Sequence, residues 1–153
     1  MNTKAEANIW LDIPNVCTPA DGLCTGGRPQ PEHLQQAKER GVRTIVNLCP
    51  HSEPCGYDEP TLVQSLGMHY VNIPIAGPSD LTDANARLLA STLSEAGAGH
   101  PVLVHCASGN RVGALFALKA RYVDGLGIDE ALAAGRAAGL KAMEPIVRQI
   151  LTA

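Results

Sequence analysis

The sequence predicts one α/β domain over residues 1–153, with a mostly parallel central sheet of four to five strands and helices on both faces. Three observations predict it. Short β-branched apolar runs at 42–48, 68–75 and 101–105 alternate with helical patterns of about 10–15 residues, the signature of repeated βα units. A chain of 153 residues matches one domain and is long enough to bury a real core. The composition is 45% hydrophobic but only 3% aromatic, so Ala, Leu, Val and Ile must build that core.

The elements follow in order. Residues 8–13 read as a first extended piece. Residues 31–40 (P-E-H-L-Q-Q-A-K-E-R) read as a helix with Pro31 in its first turn and Gly41 as its stop. V-R-T-I-V-N-L at 42–48 is a buried strand, 58–66 a short helix ended by Gly67, and 68–75 a second strand. Thr82 reads as the N-cap of a helix reaching Ala96, with Asp83 in its first turn. Residues 101–105 form the third clear strand, 111–123 a helix apolar on most faces, and 129–138 and 144–151 the last two helices.

The net charge of −3 argues against a nucleic-acid or anionic-membrane partner, and Lys and Arg are scattered without a run. An anion site must therefore be local. The opening segment M-N-T-K-A-E-A-N-I-W holds no apolar core of signal-peptide length, and no segment is long enough to span a membrane, so a bacterial-type cytoplasmic setting is expected. Five cysteines, at 17, 24, 49, 55 and 106, form an odd set without a zinc-finger spacing. Their reactivity matters more than their pairing.

The stretch V-L-V-H-C-A-S-G-N-R-V-G at 102–113 carries the chemistry. Cys106 ends a strand and faces the unpaired N–H groups of a helix start, which favour a thiolate. Arg111 adds a fixed charge and a planar fork for a tetrahedral anion. Gly109 frees the backbone to turn its amides inward. The expected anion-binding loop is Ala107, Ser108, Gly109, Asn110 and Arg111, with Cys106 as nucleophile and His105 orienting the loop. A free cysteine alone reads as well as a small buried residue. The His before it and the Arg at helix entry shift the reading to a nucleophile.

This segment resembles the cysteine-dependent phosphatase superfamily, whose members carry His-Cys, a small loop and an Arg at a helix start. L-C-T-G-G-R-P-Q-P-E-H-L-Q-Q-A-K-E-R-G-V-R-T-I-V-N-L at 23–48 is similar to the opening of dual-specificity-type phosphatases, and H-Y-V-N-I-P-I at 69–75 to the strand before their acid loop. The nearest resemblance is to the bacterial phosphatase-like domain also found fused to a β-lactamase-like hydrolase, whose nucleophile loop is likewise short. The resemblance implies a phosphatase-like fold and hydrolysis of a phosphomonoester through a phospho-cysteine, with no cofactor or metal. The partner would be a small anionic or phosphorylated substrate, a phosphoprotein included.

Loop length keeps a second reaction open. Four residues separate Cys106 from Arg111, one fewer than in tyrosine and dual-specificity phosphatases. Rhodanese-type sulfurtransferases use a six-residue loop counted from the Cys, and a persulfide sulfur needs less room than a phosphoryl group. Val112 stands where many phosphatases place Ser or Thr, while Ala107 lacks the cation that rhodaneses often place beside the nucleophile. A catalytically weak anion- or phospho-ligand-binding module is the third reading.

The general acid of a phosphatase comes from a loop near the cradle. In I-P-I-A-G-P-S-D-L-T-D at 73–83, Asp80 is the candidate, and an ordinary turn-forming Asp explains it equally well. Cys49, in C-P-H-S-E-P-C, follows the strand expected beside that of Cys106 and is cast as its redox partner, against the reading of a buried Cys in a solvated loop. Gly26 and Gly27 before Arg28 suggest anion binding, but a tight turn into the helix at Pro31 explains them better.

Overall fold

The computed structural model describes residues 11–97 and 99–153. The elements are β1 (Cys17–Ala20), β2 (Leu23–Gly26), α1 (Pro31–Glu39), β3 (Thr44–Asn47), α2 (Glu59–Ser65), β4 (His69–Asn72), a 3₁₀ turn (Pro78–Asp80), α3 (Asp83–Ala96), β5 (Val102–His105), α4 (Asn110–Tyr122), α5 (Ile128–Ala137) and α6 (Glu144–Thr152). The five strands lie in the order β1-β2-β5-β3-β4. Only β1 runs antiparallel, paired with β2; the other three pairings are parallel.

Two faces of the sheet bury two cores. Leu34 and Ala37 of α1 and Val63 of α2 pack with Cys24, Ile45 and Leu103 on one face. On the other, Val46, Val102 and Val104 meet α3, α4, α5 and α6. The alternation Ile45/Val46 and Leu103/Val104 is the period-2 side-chain rule of a strand buried on both sides. Helix starts follow the expected chemistry. Thr82 Oγ1 accepts the Asn85 N–H at 3.2 Å, and Asp58 does the same for Thr61. Pro31 opens α1, where its missing N–H costs nothing.

Strand and helix ends fall within a few residues of the sequence reading. Of the expected extended piece at 8–13, residues 8–10 lie outside the described residues and 11–13 have no regular structure. Leu11 and Ile13 are nonetheless buried in the α1/α2 core. The β1–β2 hairpin is an addition. It lengthens the sheet to five strands and places Gly26 beside His105 at the end of β5.

Close helix packing supports α4, which starts just after the Cys106 loop. Gly113 lies against α5 and the chain after it, so a methyl there would run into the Leu140 backbone nitrogen and approach Gly135 O at 2.7 Å. Backbone cannot yield as a side chain does. Gly113→Ala is expected to cost about 3 kcal/mol in urea unfolding. A cost below about 1 kcal/mol would contradict this packing.

Candidate active site

Cys106 sits at the carboxyl end of β5, flanked by β2 and β3, the edge where parallel sheets bind ligands. Its sulfur is fully buried and accepts the Gly109 N–H at 3.0 Å. Gly109 reaches that geometry with φ 95°, a left-handed conformation that costs a residue with Cβ about 1–2 kcal/mol. It is also the N-cap of α4, so the next N–H groups belong to a first helical turn without intrahelical acceptors.

Neighbouring segments hold the loop from outside. The Cys106 N–H donates to Gly26 O at 3.2 Å, the Arg28 N–H to Ala107 O at 3.1 Å, and Asn15 Nδ2 to Ser108 O at 2.9 Å. Gly27 must be glycine here, because a Cβ would come within 2.7 Å of Ala107 O. The sequence suggests a tight turn for this glycine; close approach to the loop after Cys106 is the stronger constraint. Ala107 and Ser108 lie exposed at the rim. Asn110 turns its amide oxygen outward to the Lys141 N–H at 2.9 Å, so its contribution to the cradle is backbone.

His105, expected from the sequence to orient the loop, is buried at the end of β5 and contacts two partners. Its Nδ1 lies 3.2 Å from Cys106 O, which can only accept, so Nδ1 carries a hydrogen. Its Nε2 lies 2.5 Å from Glu59 Oε2, and both side chains are buried. A contact that short needs a proton between the two groups. Glu59 escaped the sequence reading because an acidic residue in a first helical turn looks like a dipole partner.

Arg111, in the first turn of α4, is held end-on. Nη1 donates to Glu53 Oε2 and Nη2 to Glu53 Oε1, at 2.8 and 3.0 Å, and Nη1 also donates to Ile75 O at 2.8 Å. None of these bonds uses the Nε–H edge. The pair drives both ionisations, holding the Glu53 carboxyl below the usual range and raising Arg111 further above its own. Glu53 also escaped the sequence reading; it sits in the C-P-H-S-E-P-C loop, where nothing marks one polar residue over another.

Cys49 emerges beside Cys106, since β3 and β5 are adjacent and the Leu48 N–H bonds His105 O. Its sulfur accepts from Arg28 Nη2 at 3.2 Å and Arg111 Nη2 at 3.6 Å. Burial nevertheless outweighs both guanidiniums and pushes the thiol up to about 11. Asp80 closes its own turn, with Oδ2 accepting the Ala76 N–H at 2.8 Å. That turn follows Ile75, whose carbonyl holds Arg111, so the acid candidate is tethered close in sequence to the fork. Asp83 instead pairs with Arg87 at the start of α3. Among the described residues no three His, Cys, Asp or Glu side chains gather as a metal site. Nor is any described helix long and apolar enough to cross a membrane.

A cleft of about 260 Å³ opens beside these groups, lined among others by Arg28, Cys49, Glu53, His51, Tyr57 and Tyr70. Asn47 shapes it: Nδ2 donates to Tyr70 Oη, and Oδ1 accepts the Cys49 N–H at 2.8 Å.

Residues 18–122 match the family model for the phosphatase-like domain of beta-lactamase hydrolase-like proteins. The beta-lactamase hydrolase-like protein of Xylella fastidiosa is 32% identical over 122 residues. That alignment covers 76% of this chain and 27% of the relative, so the chain spans about a quarter of that protein. The fold is similar to that of a candidate phosphatase (DUF442) from Shewanella putrefaciens CN-32, with TM-score 0.69, 21% identity and coverage of 92% and 93% of the two chains. It is also similar to P. aeruginosa TpbA, solved in complex with pTyr, with TM-score 0.62, 19% identity and coverage of 90% of each chain.

The environment of Cys49 gives a direct expectation. Iodoacetamide reacts with thiolate, so Cys49 should resist labelling at neutral pH while the half-buried Cys17 and Cys55 react, and its rate should climb as pH approaches 11. Peptide mass mapping across pH reads this. Rapid labelling of Cys49 at neutral pH would show that the two guanidiniums win over burial.

Proposed function

Because the chain belongs to the phosphatase-like domain family of beta-lactamase hydrolase-like proteins, we propose that it is a cysteine-dependent phosphatase acting on a phosphomonoester. The observation that carries this reading is the Gly109 N–H aimed at the Cys106 sulfur, within a loop closed by Arg111. In the first step the Cys106 thiolate attacks phosphorus; an S–P bond forms, the P–O bond breaks, and the leaving oxygen takes a proton from an acid. Water then attacks phosphorus and gives its proton back to that acid; the S–P bond breaks, releasing phosphate and restoring the thiolate. The free N–H groups of the first turn of α4 and the Nε–H edge of Arg111 are the donors suited to the oxygens, whose charge is greatest in the transition state. Glu53 and Ile75 hold the guanidinium in place.

Asp80 is the acid in this scheme. One carboxylate oxygen is engaged with the Ala76 N–H, which leaves Oδ1 to carry the proton. Cys49, held as a thiol by burial, is a poor nucleophile toward substrate.

Phosphate release from an aryl phosphate, abolished in Cys106→Ser, is the expected result. The four-residue spacing favours one other reading, sulfur transfer, and cyanide-trapped thiocyanate measured on the same preparation tests it. Thiocyanate formation from thiosulfate with negligible phosphate release would overturn the phosphatase reading.

Asp80→Asn keeps an oxygen for the Ala76 N–H and removes the proton. It should slow esters with poor leaving groups by about 10²-fold and good ones much less. Equal slowing of both would remove Asp80 from the mechanism.

A further inference from the structure

The chemistry above leaves Arg28 unused. Its backbone is fixed to the nucleophile loop through the Arg28 N–H and Ala107 O, and Gly27 bridges Ser108 beside it. Its side chain is placed as firmly: Nη1 donates to Pro54 O at 2.9 Å and Nη2 to Cys49 Sγ at 3.2 Å. Arg111 reaches the same sulfur at 3.6 Å. Two guanidiniums therefore meet over one atom, one belonging to the cradle and the other lining the cleft beside it.

The charges around that point are few. Glu53 pairs with Arg111, Glu59 is engaged by His105, and Asp58 caps α2 through Thr61. His51 contacts the Tyr70 hydroxyl on the far wall. Among the described residues no carboxylate is bonded to Arg28, and its bonds to Pro54 O and Cys49 leave further N–H donors. A planar fork fixed this way, with little entropy left to lose, is suited to reading an anion.

We propose that Arg28 is a specificity residue that takes a second anionic group, phosphate or carboxylate, carried by the substrate next to the phosphoryl group in the cradle. The inference rests on the phosphatase reading only in placing a first phosphoryl group against Arg111. The preferred substrate is then a compact phosphomonoester with two neighbouring anionic groups, in keeping with the small cleft.

Binding to the Cys106→Ser protein tests this without turnover. By calorimetry, pyrophosphate should bind about tenfold more tightly than phosphate, the gain of one charge-assisted contact. Phosphonoacetate set against methylphosphonate reads the carboxylate form of the same preference. Adding Arg28→Gln should erase the preference, and Arg28→Lys should restore part of it. Equal affinities in the parent, or a preference that survives Arg28→Gln in a protein with unchanged melting temperature, would overturn the proposal. If the preference depends on Arg28 but no ester is hydrolysed, the phosphatase reading fails and the anion site stands.

Discussion

The Gly109 N–H pointing at the Cys106 sulfur is the contact that the rest of the site depends on. It requires a left-handed residue between a strand and a helix, and glycine supplies it. The same residue caps α4, so one backbone conformation both turns a donor onto the sulfur and starts the helix that carries Arg111. The sheet supplies the other half of the geometry. Cys106 ends the central strand, and flanking segments hold the loop through Gly26, Arg28 and Asn15.

The guanidinium is governed by a second constraint. Arg111 leaves the helix toward the β3–α2 loop, where Glu53 receives its end and Ile75 O receives one further hydrogen. A bidentate pair of this kind fixes the plane of the fork as well as its position. Its cost is a carboxylate close to the proposed anion site. The second arginine offsets that cost: Arg28 adds a positive charge at the cleft and joins Arg111 in keeping the Glu53 carboxyl ionised.

The sequence made some of this legible and hid the rest for physical reasons. The buried strands at β3 and β5 announced themselves because a strand covered on both faces is apolar throughout. α3 was readable, since Thr82 at its start is a capping signal with Asp83 in the first turn. The loop from Cys106 to Arg111 was readable as a unit because its residues are close in chain order. The β1–β2 hairpin was not. Its strands have four residues each and Pro19 lies within β1, tolerable only because β1 is at the sheet edge. Glu53 and Glu59 stayed hidden for a different reason. Their partners lie 58 and 46 residues away, and nothing local marks them.

Turnover as proposed passes through a covalent bond between Cys106 and phosphorus. Acid quench of the protein within its first turnover on an aryl phosphate, followed by peptide mass mapping, would trap it. One phosphoryl group on Cys106 and none on any other residue is the expected result. A persulfide on Cys106 after thiosulfate, with no phosphoryl adduct under any quench time, would contradict it.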